Sequence, residues 1–321
     1  MRSAVLWTIV AAAVAGGPAA AGASDAIAYV ASASGLMEKV IVVDARAQTA
    51  CLTRSIAGAR CLPAADFLGP HGRLASFREI FWLLGTAGLS GGEHVLVVGN
   101  DPAERDFVAG MLYLCGQRKV SILTLPMSQG AGLPAAQVGP GIGRAMTRNP
   151  IYQGMVREDD IVLRTELARA LASGSSPPLL DGRTEEEYWG ERIRALRGGH
   201  LPGAQSLPLA AARSRLGQGQ LELSTGKKFV VYGHGPFESV AYFTLLRAGA
   251  RAAVMVLLDG WVDWANHPDL PMAATSYPDP KPVPARQREP DQRWLAPLAL
   301  FNLAALLFLA GGLVYSVRRR K

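Results

Sequence analysis

The stretch that decides the fold is Leu179-Leu180-Asp181-Gly182-Arg183-Thr184-Glu185-Glu186-Glu187-Tyr188. Two apolar residues end a short strand, and Asp181 stands at its carboxyl end, two positions before Arg183. Such an Asp can pair with the Arg and accept hydrogen bonds from nearby backbone, which fixes the turn into the next helix. Further landmarks follow it in order: Gly199-His200-Leu201-Pro202-Gly203-Ala204, Leu207-Pro208, Val230-Val231-Tyr232 and Leu258-Asp259-Gly260-Trp261.

Apolar β-rich runs alternate with helical segments throughout the middle of the chain. The first half has predicted strands and helices at Val40–Val43, Phe77–Leu84, Val95–Val98, Ala103–Leu114 and Val120–Leu125. The second half has them at Leu179–Leu180, Ala204–Leu207, Phe229–Tyr232, Val240–Ala248 and Val254–Leu258. Alternation of strands and helices predicts a parallel α/β sheet, and its recurrence predicts an internal repeat.

These landmarks resemble the rhodanese family. The first half is a fainter copy, with Val43-Asp44-Ala45-Arg46, Ile56-Ala57-Gly58-Ala59 and Leu62-Pro63. The pairing is similar to tandem thiosulfate sulfurtransferases, in which the first domain is usually structural. The resemblance covers about residues 28–268. It implies an α/β fold with two rhodanese-like domains, a degenerate one at 28–128 and a second at 159–268, joined by a linker at 129–158.

Five motif residues are expected to be structural: Asp44, Arg46, Asp181, Arg183 and His200. The two Asp-x-Arg pairs would each fix the turn after a strand. The first half departs from the second at two places, because Ser55 stands where the second copy has His200 and Pro126-Met127 replaces the Asp-Gly that follows the last strand.

Rhodanese-like sulfur transfer needs a thiolate in the loop after the central strand, where converging backbone N–H groups lower the thiol pKa. The corresponding loops here are Gly233–Ser239 and Gly99–Arg105, and neither contains a cysteine. The resemblance therefore implies a domain that cannot form a persulfide in either loop, and we predict no catalytic residue. The same absence argues against the related dual-specificity phosphatases.

The whole chain has three cysteines, Cys51, Cys61 and Cys115. Cys115 ends an apolar helix and is expected to fill core space. The connection that contains Cys51 is shorter than its counterpart in the second half, so its helix is expected to be largely lost. Three interpretations remain open for Cys51 and Cys61: a disulfide, two unpaired thiols, or a redox or sulfur-carrying pair.

The second loop has features of a ligand site. Its candidate residues are Gly233, His234, Gly235, Phe237, Glu238 and Ser239. The glycines permit the backbone of an anion-binding nest, and the histidine stands where an anion would be held. A small sulfur oxyanion is the expected ligand. In the alternative, Glu238 and Ser239 only cap the following helix.

Both ends of the chain carry targeting signals. Residues 1–23 have the pattern of a secretory signal peptide, and the uncharged run at 294–317 predicts one transmembrane helix. The basic tail at 318–321 places the C-terminus in the cytoplasm. Residues 269–293 are rich in proline and predict a semi-extended stalk.

The net charge of +7 falls to +2 when Arg2 and the four terminal cations are set aside, so no nucleic-acid partner is expected. The five histidines are scattered, and we predict neither a metal nor a cofactor.

The leading functional hypothesis is a catalytically silent binding or scaffold subunit of a membrane complex, in the periplasm and anchored in the bacterial inner membrane. The alternatives are a periplasmic sulfurtransferase or sulfur carrier that uses Cys51 or Cys61, and a sensor of sulfur oxyanions.

Overall fold

The first half, residues 26–128, builds a sheet of five parallel strands in the order β1-β6-β5-β2-β4. The strands of this sheet are β1 (Ile27–Val30), β2 (Ile41–Asp44), β4 (Arg60–Cys61), β5 (His94–Val98) and β6 (Lys119–Leu123). Its helices are α1 (Gln48–Thr53), α2 (Phe77–Thr86) and α3 (Pro102–Leu114). The central strands are buried apolar runs, as expected where helices cover a parallel sheet.

A second five-stranded parallel sheet, in residues 159–274, has the same strand order. Its strands, given in the order that matches the first sheet, are β8 (Ile161–Val162), β12 (Val254–Leu257), β11 (Phe229–Tyr232), β9 (Leu179–Asp181) and β10 (Ala204–Ser206). Its helices are α4 (Arg164–Ala172), α5 (Glu185–Tyr188), α6 (Leu209–Gly217), α7 (Pro236–Thr244) and α8 (Gly260–Ala265). The parallel α/β sheets predicted from the sequence are confirmed.

The computed structural model describes residues 26–33, 35–128, 137–223 and 226–274. The predicted signal peptide, the transmembrane helix, the basic tail and most of the proline-rich stalk lie outside these residues. Within the described ranges, no helix is long and apolar enough to cross a membrane.

The helices begin where local chemistry satisfies their free N–H groups. Ser76 caps α2, and the side chain of Glu79 accepts from the backbone N–H of Ser76 at 2.9 Å, which completes a capping box. Asp101 caps α3 by accepting from the N–H of Ala103 at 2.7 Å. Both α3 and α7 carry a proline at their start, where a missing N–H costs nothing.

The two halves share one continuous hydrophobic core, built around the contact between α3 and α7. Gly110 of α3 permits this contact, because a Cβ there would meet Val240 Cγ1 of α7 at 2.6 Å. Phe107 of α3 stacks on Phe237 with ring centroids 5.1 Å apart. The candidate loop that contains Phe237 is therefore wedged against the first half.

Buried polar contacts also join the halves. The carboxylate of Asp106 in α3 accepts from Arg213 Nη2 of α6 at 2.5 Å and from the Tyr29 hydroxyl at 2.6 Å. The Tyr113 hydroxyl donates to Asp160 at 2.9 Å. Asp106 and Tyr113 thus each have a partner in the second half, Arg213 and Asp160, while Tyr29 supports Asp106 from within the first half.

The residues after the first sheet return to pack on it. β7 (Val138–Gly139) pairs antiparallel with β3 (Ser55–Ile56), and the N–H of Ala145 donates to Thr86 O at 2.8 Å. Part of the predicted linker is thus held against the first half.

The expectation that the first half loses its helix after Asp44 is wrong. Helix α1 has six residues, and its counterpart α5 has four. The longer connection after Asp181 in the second half forms an irregular loop at residues 189–199.

Candidate functional site

The two Asp-x-Arg motifs form nearly the same ion pair at the ends of β2 and β9. Asp181 Oδ2 lies 2.5 Å from Arg183 Nη2, and Asp44 Oδ2 lies 2.6 Å from Arg46 Nη2. In both motifs Oδ1 also accepts from the backbone N–H of the arginine, at 2.9 Å and 3.0 Å. Each pair fixes the turn out of its strand, and neither carboxylate is open to solvent.

Arg183 is enclosed on every side. Its guanidinium carbon lies 4.5 Å from the ring of Trp261 and 5.6 Å from that of Tyr232, and Nη2 donates to Gly199 O at 2.8 Å. Burial opposes its charge, but the hydrogen bonds and the charge of Asp181 raise the pKa of Arg183 above its ordinary value. These contacts fix the guanidinium of Arg183 beside Asp181.

His200 is also structural. Its ring stacks on Tyr188 with centroids 3.7 Å apart, and Nδ1 lies 2.9 Å from Tyr188 O, which can only accept a hydrogen bond. Burial lowers the pKa of His200 below its ordinary value. In the first half, Ser55 holds the equivalent place and donates to Asp44 Oδ2 at 2.6 Å.

Cys51 and Cys61 form a disulfide, so the first of the three interpretations is confirmed. The bridge joins α1 to β4 and is buried. Gly141 covers it, because a Cβ at that position would lie 2.7 Å from Cys61 Sγ. Neither sulfur is a free thiol, and the third cysteine, Cys115, is buried in the core as predicted, where burial raises its pKa.

The Gly233–Ser239 loop is closed by its own side chains. The N–H of Gly233 donates to Ser239 Oγ at 3.0 Å, and the N–H of His234 donates to Glu238 Oε2 at 2.9 Å. These are two of the N–H groups that a bound anion would use. The Glu238 carboxylate therefore takes the place of an anion, and Glu238 and Ser239 reach back to the loop rather than only capping α7.

No side chain fits at Gly233. A Cβ there would lie 2.6 Å from Glu238 Cβ, 2.7 Å from the Glu238 carbonyl carbon and 2.8 Å from Ser239 N. Two of these three atoms are backbone, so the clash cannot be relieved by rotating a side chain. The first position of the loop therefore has neither a cysteine nor room for one.

Charged side chains surround the closed loop. Arg194 Nε lies 2.5 Å from Glu187 Oε1, and its Nη2 lies 3.0 Å from Glu238 Oε1. Burial raises the pKa of Glu187, but Arg194 lowers it by more, so the pKa of Glu187 lies below its ordinary value. Burial, aided by Arg194, lowers the pKa of His234, whose Nδ1 has no hydrogen-bond partner. A neutral imidazole 3.6 Å from Glu187 makes no ion pair.

A groove runs past the loop between the two halves. Two adjoining depressions of about 330 and 450 Å³ share Ala103 of α3 and Leu209 and Ala210 of α6. Phe237 and the Arg194–Glu238 pair line its inner end. The groove has an apolar floor and a charged rim, and none of the residues that line it is a cysteine.

The Gly99–Arg105 loop of the first half is closed in another way. The buried Arg105 Nη1 donates to the carbonyl oxygens of Thr124 and Leu125, both at 3.1 Å. A Cβ at Gly99 would lie 3.0 Å from Arg105 Cγ. The arginine stem therefore occupies the interior of this loop.

Two features of the site were not predicted from the sequence. Both loops have the pattern Gly-x-x-Pro-x-Glu, at Gly99–Glu104 and Gly233–Glu238, and this repeat could have been read from the sequence. The role of Arg194 had no signal in the sequence, because it depends on the contact between Arg194 and Glu238, which are far apart along the chain. Among the described residues, no group of three or more His, Cys, Asp or Glu side chains is placed to hold a metal.

Residues 163–267 match the rhodanese-like domain family. The thiosulfate sulfurtransferase of Azotobacter vinelandii is 31% identical over 103 residues, 29% of this chain and 38% of that protein. SseA of Mycobacterium tuberculosis is 29% identical over 147 residues, 40% of this chain and 50% of that protein. The chain therefore spans half the length or less of these curated relatives.

A crystal structure described as a probable thiosulfate sulfurtransferase superposes with a TM-score of 0.51 at 25% identity, covering 73% of this chain and 97% of that one. Together with the family match and the parallel sheets, this likeness identifies the fold as rhodanese-like α/β.

Proposed function

We propose that this chain is a tandem rhodanese-like protein whose sulfurtransferase loops are silent and which serves as a binding or scaffold subunit. One observation carries the proposal: the Gly233 position has no cysteine and no room for one, because Glu238 and Ser239 fill the loop. The Glu238 carboxylate also accepts the hydrogen bond of the His234 N–H, a donor that an oxyanion would need. This favours recognition of a macromolecule over sensing of a small sulfur oxyanion.

The groove beside the loop is the proposed recognition surface. Its apolar floor at Leu209, Ala210 and Phe237 can bury side chains of a partner, and the charged rim can fix their orientation. Because Phe237 also contacts α3, both halves shape the groove.

The proposed location is outside the cytoplasm, at a bacterial inner membrane. A disulfide is typical of an oxidising compartment. The signal-peptide pattern at residues 1–23 and the uncharged run at 294–317 support the same location.

A second candidate function is sulfur transfer through Cys51 or Cys61, favoured by the activity named for the relative from Azotobacter vinelandii. It requires reduction of the disulfide and exposure of a buried sulfur, and it would use residues far in sequence from the closed loop.

Thiosulfate-to-cyanide sulfur transfer separates the two candidates. The full chain is assayed with and without reductant, beside Gly233→Cys and the Cys51→Ser/Cys61→Ser double variant, with the Azotobacter vinelandii relative as positive control. We expect no turnover by any of the three, including Gly233→Cys, because the added Cβ meets backbone atoms. Turnover by the wild-type chain that disappears in the double serine variant would establish the carrier function instead.

Partner binding is tested by purifying the full chain in mild detergent and quantifying co-purified proteins. Ala210→Arg obstructs the groove and should reduce recovery of a stoichiometric partner. Gln218→Arg, at the exposed end of the same helix, is the matched control. Recovery of the bare wild-type chain would contradict the scaffold function.

A further inference from the structure

Residues 190–198 form a closed surface loop beside the α5 helix. Its neck is made of glycines: a Cβ at Gly190 would lie 3.0 Å from Gly199 N, and one at Gly198 would lie 3.1 Å from Gly190 Cα. Gly190 and Gly199 have φ values of 79° and 93°. A compact surface loop whose ends meet in this way is an Ω-loop, a class that frequently carries function.

Two arginines hold the 190–198 loop from the inside. Arg194 is bound to Glu187 and Glu238. Arg197 donates to the carbonyl oxygens that end α8 and the segment after it, including His267 O at 2.6 Å and Leu270 O at 2.9 Å. The loop is fixed to the fold by these contacts, so its outer side chains are presented in a defined arrangement.

The outer face of the 190–198 loop is apolar. Leu196 is 77% exposed and Ile193 is 55% exposed, and part of Trp189 is open to solvent at the base of the loop. Arg192 is exposed beside them, and no carboxylate of a described residue lies within ion-pair distance of it. Arg194 and Arg197 are turned inward, so Arg192 is the arginine on this face, and Glu191 is exposed next to it. An exposed arginine among aliphatic and indole side chains is complementary to the phosphates and acyl chains of a lipid interface.

The chain also leaves the described structure at this point. Ala273 pairs with His200, and a Cβ at Gly199 would lie 3.1 Å from Ala274 Cβ. The predicted proline-rich stalk leads from these residues to the predicted membrane anchor, which begins at Trp294. The neck of the loop is thus where the predicted tether to the bilayer begins.

We propose that the 190–198 loop is a lipid-contact surface that inserts Ile193 and Leu196 into the headgroup region of a bilayer, with Arg192 at the phosphates. This inference rests on the membrane location in the proposed function. It adds a second attachment next to the tether, which would set the orientation of the groove relative to the membrane.

The test uses the full chain reconstituted in vesicles of phosphatidylethanolamine and phosphatidylglycerol. An environment-sensitive fluorophore is attached through Glu191→Cys in the loop or, as a control, through Met146→Cys, which is 95% exposed in the segment between the two sheets. Labelling is selective, because the native cysteines are disulfide-bonded or buried. Spin-labelled lipids then report which probe contacts the bilayer.

We expect spin-labelled lipids to quench the probe at position 191 and not the probe at 146. The quenching should be lost when Ile193 and Leu196 are both replaced by serine, and it should weaken with Arg192→Gln. Equal quenching of the two probes, or none at 191, would overturn the proposal. Shielding of the 191 probe from aqueous iodide in native membranes but not in lipid vesicles would also overturn it, in favour of a protein partner.

Carbonate washing of the same vesicles tests the anchor separately. Release of the chain would contradict the predicted transmembrane helix and not the loop. In that case vesicles are added to the released chain, and quenching at 191 still supports lipid contact whereas its absence overturns it.

Discussion

The two halves build the same turn and protect it by different means. The Asp181–Arg183 pair is sealed under Trp261, and the exposed fractions of the two side chains are 0% and 1%. The Asp44–Arg46 pair leaves 15% of the arginine exposed. Among the described residues, no aromatic ring lies over Arg46. The second half therefore relies on its core to hold the turn.

The first half replaces that aromatic cover with covalent and backbone contacts. The Cys51–Cys61 disulfide joins α1 to β4 just beyond the ion pair, and β7 closes over it. The second half instead places α8 after its last strand, where the first half has Pro126-Met127. One topology is thus compatible with two ways of stabilising the same motif, and each makes a different prediction.

The largest expected loss of stability follows from a change in the buried Asp181–Arg183 pair. Asp181→Asn leaves the buried guanidinium of Arg183 without its counter-charge and should lower the free energy of unfolding by about 3–5 kcal/mol. Asp44→Asn is the matched control, and it should cost less because Arg46 can turn to water. Urea unfolding of both variants measures the difference. Equal losses would mean that the aromatic cover adds nothing to the second pair.

Removal of the disulfide should affect only the first half. Cys51→Ser/Cys61→Ser frees a loop with a sequence separation of 10, which predicts a loss of about 3 kcal/mol from loop entropy. Hydrogen exchange should increase in α1, β4 and β7, while the β9 region stays protected. Faster exchange around Asp181 would show that the two turns are not stabilised independently.

The shared core sets a limit to that independence. Gly110→Ala places a methyl group against Thr244 and Val240 of α7 and should cost about 1–3 kcal/mol by overpacking. Gly217→Ala, in a helix position with no heavy atom within 4 Å of the added Cβ, should instead gain up to about 1 kcal/mol. Two separate urea transitions in Gly110→Ala, where the wild type has one, would show that the α3–α7 contact couples the halves.

The sequence predicted the central strands well, because their apolar runs are buried on both faces. Phe229–Tyr232 has the predicted bounds, and β5 and β12 each differ by one residue. The edge strands β1 and β8 were missed, since Ile161–Val162 is too short for a periodic signal. Helix α7 was predicted to start at Val240 but begins at Pro236, because the loop is shorter than its glycines suggest.

The candidate site was less predictable than the fold. The absence of a cysteine from both loops followed from counting thiols, whereas the Cys51–Cys61 disulfide was one of three interpretations that the sequence left open. The closure of the Gly233 loop could not be predicted, because it depends on where the Glu238 carboxylate points and on distances between backbone atoms. The neck of the 190–198 loop had a visible signal in Gly190, Gly198 and Gly199, but only the fold shows that they meet.

The smallest expected effect is on the pH dependence of the unfolding free energy. The first half has Ser55 where the second has His200, whose pKa burial lowers, so only the second turn contains a histidine that resists protonation. As pH falls through the unfolded value of about 6.5, the unfolded chain binds a proton before the folded one does, and stability is lost. His200→Asn keeps a donor for Tyr188 O and removes this linkage. Its unfolding free energy should therefore fall less than that of the wild type between about pH 7.5 and 5.5. If the variant kept the wild-type slope, the acid sensitivity would have to come from another buried histidine, with His234 the first to examine, because burial lowers its pKa as well.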